Sequence, residues 1–290
     1  MKVGYYPGCS LHGTGKAYDI SARTAMKVLG VMPEEVADWS CCGSTPAECE
    51  NPLLSTALSA RNLALAEAAG HEFLVAPCAA CFSHLKKAGL EIAGNEKLAA
   101  KIRELIELDY QGQVKVLNLL QVFVDLVGID ALRKKVKKPL TGLRVVTYYG
   151  CLLVRPAHVA GFDDPVNPVS LDRIMEAAGA TVLPWGAKTD CCGASFTMTN
   201  PEVVAEASGK IMLQALEAGA DLVVTACPMC WMNLYRGHGY AREHFGPGKT
   251  MPTVYFTELL ALALGVSPRA LVMKKHLVNP YPVLRQKQIV

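Results

Sequence analysis

Two runs of the sequence set cysteines side by side ahead of a glycine: Cys41, Cys42 and Gly43 in DWSCCGSTPAE, and Cys191, Cys192 and Gly193 in KTDCCGASFTM. Neighbouring thiols form only a strained disulfide and pack poorly as hydrophobes, so the doublets call for a ligand that uses two adjacent sulfurs. Each doublet has company. Gaps of 31 residues after Cys9 and 35 before Cys78-x-x-Cys81 flank the first; gaps of 39 after Cys151 and 34 before Cys227-x-x-Cys230 flank the second. A C-x-x-C turn offers two sulfurs to one metal centre. A tetrahedral zinc takes four ligands, so five cysteines per set point to a larger, multi-iron object.

The matched spacing makes the chain a duplication. VGYYPGCSL resembles VVTYYGCLL, and the 35 residues from Asn51 to Leu85 align without gaps to Asn200 to Leu234. The expected domains are 1–138 and 139–290, joined through RKKVKKPLTG, Arg133 to Gly142. That basic stretch reads as a solvated helix end and connector, or functionally as a docking patch for an acidic partner.

The elements that position the cysteines follow from periodicity. KVGYY, RVVTYY, EFLVA and DLVVTA are short continuous apolar runs of the kind that make buried strands. Helical spacing covers Ala17 to Leu29, Leu53 to Ala69, Leu171 to Ala178 and Val203 to Ala218. The expected fold is α/β, with two pseudo-symmetric βα repeats, each a small mainly parallel sheet flanked by helices. Cys9 then follows a strand at Val3 to Tyr6, Cys41 and Cys42 one at Val36 to Trp39, and Cys78 and Cys81 one at Phe73 to Ala76. These are strand carboxyl ends, the edge where open α/β sheets bind ligands.

Composition narrows the classes. Hydrophobic residues make up 51% of the 290, enough for a large core, and a net charge of +3 with few aromatics gives no nucleic-acid surface. MKVGYYPGCS lacks the apolar run of an export signal, and LNLLQVFVDLVGI, the longest apolar stretch, is broken by Asn118, Gln121 and Asp125. A cytoplasmic protein without a membrane span is expected. An odd count of 11 cysteines in that compartment argues for metal binding over disulfides.

Taken jointly, the ten patterned cysteines resemble the tandem CCG domains of the heterodisulfide reductase family, and most closely its B subunit. The resemblance implies one non-cubane [4Fe-4S] cluster on Cys9, Cys41, Cys42, Cys78 and Cys81, and a second on Cys151, Cys191, Cys192, Cys227 and Cys230. It implies an oxidoreductase that cleaves a disulfide between the two clusters, either the coenzyme M–coenzyme B heterodisulfide or a related small-molecule or protein disulfide. The expected partners are a ferredoxin-like C subunit with two [4Fe-4S] clusters and, through it, a flavin-containing A subunit. The chain has no C-x2-C-x2-C-x3-C-P run and no G-x-G-x-x-G fingerprint of its own. The alternatives are an iron–sulfur electron-transfer subunit of a flavin-dependent 2-hydroxy acid or succinate oxidoreductase, and a scaffold with zinc at one site.

Outside the cysteines, His12 and His158 are candidate proton donors to a leaving thiolate. Arg155, in the long second-repeat loop RPAHVAGFDDPVNPVS, and Lys188, beside the second doublet, are candidates for an anionic substrate group. Phe82 and Trp231 hold equivalent places after the C-x-x-C motifs and read as hydrophobic shields. His84 and His238 read as helix-end or surface groups, Cys49 as a small hydrophobe at a helix start. The tail HLVNPYPVLRQKQIV is expected to be an extended docking arm or a poorly ordered terminus.

Overall fold

A computed structural model describes residues 1–44, 47–245 and 251–290. Among the described residues, eight strands form two four-stranded sheets, all parallel. The first holds β1 (Lys2–Tyr5), β2 (Met32–Glu35), β3 (Phe73–Val75) and β4 (Lys115–Leu117) in the order β2-β1-β3-β4. The second repeats it with β5 (Arg144–Tyr148), β6 (Thr181–Val182), β7 (Leu222–Thr225) and β8 (Thr253–Tyr255) in the order β6-β5-β7-β8. Central strands carry the apolar runs: Val223, Val224, Val145 and Val146 are fully buried. Helices Lys16–Val28, Pro52–Ala68, Ser170–Ala177 and Pro201–Glu217 lie within a residue or two of the periodic segments.

The strand expected at Val36 to Trp39 is instead β2, four residues earlier. MPEE is a polar edge strand in which Glu34 pairs with Lys2 at 2.7 Å, so it has no apolar signature, and Pro33 is tolerated because the far side is unpaired. Val36 to Trp39 form the loop to the first doublet.

The two repeats share one core. The Phe256–Ala263 helix after β8 packs on Lys16–Val28 of the first repeat, and the segment after β4, including a π-helix at Val122–Val127, packs with helix Ile129–Lys135 on Ser170–Ala177 of the second. Phe123 meets Phe256 with ring centroids 5.7 Å apart, and Ser21 Oγ bonds Thr257 Oγ1 at 2.6 Å. The basic connector follows helix Ile129–Lys135 and is tied down, with Lys137 and Lys138 N–H donating to the Ala263 carbonyl and Leu140 N–H to that of Ala178. The tail is no loose arm: Leu284 is fully buried, Tyr281–Gln286 is helical, and His276 bonds the buried Glu258 at 2.8 Å. Among the described residues no helix is long and apolar enough to cross a membrane.

Candidate functional site

In each sheet the chain leaves the two central strands in opposite directions, which opens a crevice at their carboxyl ends. Cys9 and Cys151 stand just past β1 and β5; Cys78 and Cys227 stand just past β3 and β7, immediately ahead of helices Ala79–Ala93 and Pro228–Phe245. Those helix N-termini direct backbone N–H groups at sulfur, which favours thiolate.

Within each set the sulfurs touch. Cys42 Sγ lies 3.3 Å from Cys81 Sγ, and Cys192 Sγ lies 3.6 Å from Cys230 Sγ. Gly43 and Gly193 N–H each donate to the first sulfur of their doublet at 3.4 Å. The sets also approach each other, because Cys78 and Cys227 are close enough to shift one another's thiols, Cys78 upward and Cys227 downward. Cys41 and Cys42, Cys78 and Cys81, Cys227 and Cys230, and Cys151 and Cys191 are likewise close enough to shift one another's thiols.

Such crowding divides the protons unevenly. Hydrogen bonds from Cys41 and then Cys81 outweigh burial and push Cys42 down to about 3, while the Cys42 contact raises Cys41. Cys191 is pushed down to about 5 by Cys151, and Cys227 is lowered by Cys230 and Cys78. Cys81 and Cys230 are raised, chiefly by their contacts with Cys42 and Cys192. Ten sulfurs so placed become thiolates together only around positive charge, and thiolates with backbone N–H donors are the donor set of iron–sulfur groups. Among the described residues no three His, Cys, Asp or Glu side chains are arranged to hold a single metal ion. The donor set fits a group with several metal atoms.

The doublets are held by residues that the sequence reading passed over. Tyr6 donates its hydroxyl to the Ser40 carbonyl at 2.6 Å, and Tyr148 donates to that of Asp190 at 2.7 Å; each carbonyl belongs to the residue just before a doublet. From helix Pro52–Ala68, Asn62 donates to the Ser40 and Cys41 carbonyls, Ser59 to that of Cys42 and Ser55 to that of Gly43. In the second repeat, Asn233 donates to the Cys192 carbonyl at 3.3 Å. The repeat alignment pairs Asn233 with His84 and Tyr6 with Tyr148, which was the available signal.

Other candidates fall elsewhere. His12 is exposed, bonded to Glu35 at 3.3 Å and edge-on to Trp39. His158 is exposed on the short Ala157–Ala160 helix. Arg155 binds the Pro165 carbonyl and Thr189, so it staples the long loop to the segment before the second doublet. Lys86, from the first repeat, donates to the Ala160 carbonyl in that loop at 2.7 Å. Lys188 is buried against Asp172 and the Pro168 carbonyl. Lys188→Met should destabilise the fold by about 2 kcal/mol in chemical denaturation; this is less than most broken buried pairs because Thr147 and Tyr149 still donate to Asp172.

His84, in contrast, is mostly buried, lies 3.3 Å from Glu48, and is close enough to help lower Cys42. His238 is buried, not superficial. Cys49 does sit in a short helix, Ala47–Glu50, but it is exposed. Phe82 is fully buried, and Trp231 stacks on Tyr255 while donating to the Thr253 carbonyl at 2.8 Å. Thr45 and Pro46, just past the first doublet, lie outside the described residues.

Comparison with known proteins finds a family described as the cysteine-rich domain, CCG, matching residues 3–86 and 145–235. A relative from Wolinella succinogenes, the 8-methylmenaquinol:fumarate reductase membrane anchor subunit, is 32% identical over 95% of this chain and 96% of its own. A Methanosarcina acetivorans relative, the B subunit of a Ferredoxin/F(420)H(2)-dependent CoB-CoM heterodisulfide reductase, is 27% identical over 96% and 94%. The crystal structure of a hypothetical protein from Helicobacter pylori superposes with a TM-score of 0.73 at 12% identity, covering 95% of this chain and 51% of that one. This last likeness is one of fold.

Proposed function

The chain belongs to the cysteine-rich CCG domain family, among relatives of the heterodisulfide reductase B subunits, and we propose that it is the catalytic subunit of a cytoplasmic heterodisulfide reductase-like complex. The observation that carries the reading is the convergence of two five-cysteine sets at the carboxyl ends of the two sheets, with Cys42 against Cys81 in one and Cys192 against Cys230 in the other.

Cys9, Cys41, Cys42, Cys78 and Cys81 would hold one non-cubane [4Fe-4S] cluster, and Cys151, Cys191, Cys192, Cys227 and Cys230 the other. When bound, the clusters supply two single-electron carriers and iron sites for sulfur. The reaction balances as one disulfide, two electrons and two protons giving two thiols. The chain's own part is positional. Tyr6 and Tyr148 fix the doublets, the helix N-termini stabilise thiolate charge, and Phe82 and Trp231 exclude water. The substrate is the coenzyme M–coenzyme B heterodisulfide or a related thiol disulfide. Electrons arrive from a C subunit with two [4Fe-4S] clusters, fed by a flavin-containing A subunit.

The competing reading is an iron–sulfur electron-transfer subunit of a flavin-dependent 2-hydroxy acid or succinate oxidoreductase without disulfide chemistry, which the fumarate reductase relative, a membrane anchor subunit by name, does not favour. Metal and sulfide analysis of anaerobically purified protein, with electron paramagnetic resonance under mild oxidation in the presence of candidate thiols, separates the two. The expected result is about eight irons per chain, no zinc, and a paramagnetic signal that depends on added thiol. Iron clusters indifferent to every thiol would leave the electron-transfer reading, and stoichiometric zinc would overturn both.

A further inference from the structure

Six tyrosines are almost completely buried: Tyr5, Tyr6, Tyr18, Tyr148, Tyr149 and Tyr255. Five place their hydroxyls on protein acceptors, namely Asp19, Ser40, Ala226, Asp190 and Asp172. Tyr255 is the exception. Its hydroxyl has no hydrogen-bond partner among the described residues, although the residue is only 1% exposed. An unmet buried hydroxyl is costly, so in a chain that pairs the other five it marks a place where an acceptor belongs.

Its surroundings narrow the acceptor. The ring is clamped, stacked on Tyr18 at 4.5 Å and 9° and on Trp231 at 5.5 Å and 24°, and the backbone is fixed by the Tyr255 N–H bond to Glu258. A phenol buried in this aromatic clamp keeps its proton, so the group is a donor. The stacked partner, Tyr18, gives its own hydroxyl to the carbonyl just before Cys227. The free donor therefore stands beside the turn that carries Cys227.

Tyr255 pairs in register with Thr225 of β7. The matching place in the first repeat, one residue past the Val75–Leu117 pair, is Asn118, whose backbone N–H bonds Gln121 as that of Tyr255 bonds Glu258, and whose buried side-chain amide is also an unmet donor among the described residues.

Resting on the iron–sulfur reading above, we infer that Tyr255 is a positioning residue whose hydroxyl donates a hydrogen bond to a sulfur of the group held by Cys227 and its four companions. A hydrogen bond to sulfur favours the more negative, reduced state, so it raises the reduction potential of the second centre.

Tyr255→Phe removes one oxygen and keeps the stacked ring. In a redox titration of the holoprotein followed by paramagnetic resonance, it should shift one centre's reduction equilibrium about tenfold toward the oxidised form, about 59 mV for one electron, and leave the other within about a third of that. As a second reading, nuclear double resonance on wild type reconstituted in H2O should show a proton coupling that is lost after reconstitution in D2O and lost in the variant. Unchanged potentials with full iron would overturn the inference, as would equal shifts of both centres. So would a variant that loses iron while the wild type lacks the exchangeable coupling, since Tyr255 would then serve packing alone. A wild type that binds no iron would overturn the underlying reading itself.

Discussion

Cys192→Ala should halve the bound iron, from about eight to about four per chain, and Cys42→Ala should do the same at the other set, each with complete loss of disulfide reduction. Cys49→Ala, at an exposed cysteine outside the pattern, should change neither. Halving is expected because each doublet is held by its own repeat. Tyr6, Ser55, Ser59 and Asn62 position the first, while Tyr148 and Asn233 position the second. Neither network draws on the other, so losing one sulfur leaves the opposite set intact. Activity does not halve, because two electrons must reach one disulfide. Iron and sulfide assays on the single variants and the double variant check this directly. Loss of all iron from either single variant would mean that the approach of Cys78 to Cys227 makes the two sets one cooperative unit.

The cysteine sites and the duplication were legible because ligand spacing and sequence repeats are one-dimensional signals. Buried parallel strands were legible for the same reason: LVVT and RVVTY are continuous apolar runs. β2 was not, since an edge strand of Met, Pro and two Glu has neither alternation nor an apolar run. The exchange of helices between repeats was invisible as well. Apolar faces on Phe256–Ala263 and Lys16–Val28 say that each is covered, without saying by which repeat. Polar support was the largest omission. Asn62 and Ser59 look like surface positions in a helical run, yet both are buried, because the loop bearing the first doublet has no strand to satisfy its carbonyls. Lys188 misled in the opposite sense. Its place beside the doublet suggested substrate contact, but it sits in a turn ahead of the doublet, and its ammonium ends on Asp172 and the Pro168 carbonyl.

Gly43→Ala should cost about 4 kcal/mol, and Gly193→Ala about 2, although the two glycines occupy the same place in the same motif. Both have the left-handed backbone that L side chains avoid, φ +83° at Gly43 and +78° at Gly193, so a strain of about 1–2 kcal/mol is common to them. The difference lies in what a new methyl group meets. At Gly43 it would sit 2.6 Å from the Ser55 carbonyl oxygen and 2.9 Å from Ser55 Cα, both backbone atoms of a helix. They cannot give way without moving the helix or breaking the Ser55 hydroxyl bond to the Gly43 carbonyl. At Gly193 the nearest atoms are Val204 Cα and Cγ2, both at 3.3 Å, a contact that a few tenths of an ångström relieves. The first doublet packs directly on helix Pro52–Ala68 because serine stands where the second repeat has valine, so the polar clamp that orients Cys41 and Cys42 leaves no room for a side chain at Gly43. Denaturation of the anaerobic holoprotein should give that order, with iron lost first from the set whose glycine is altered. Equal costs would mean that backbone strain alone sets the penalty and that the Ser55 clamp is looser than its hydrogen bonds imply.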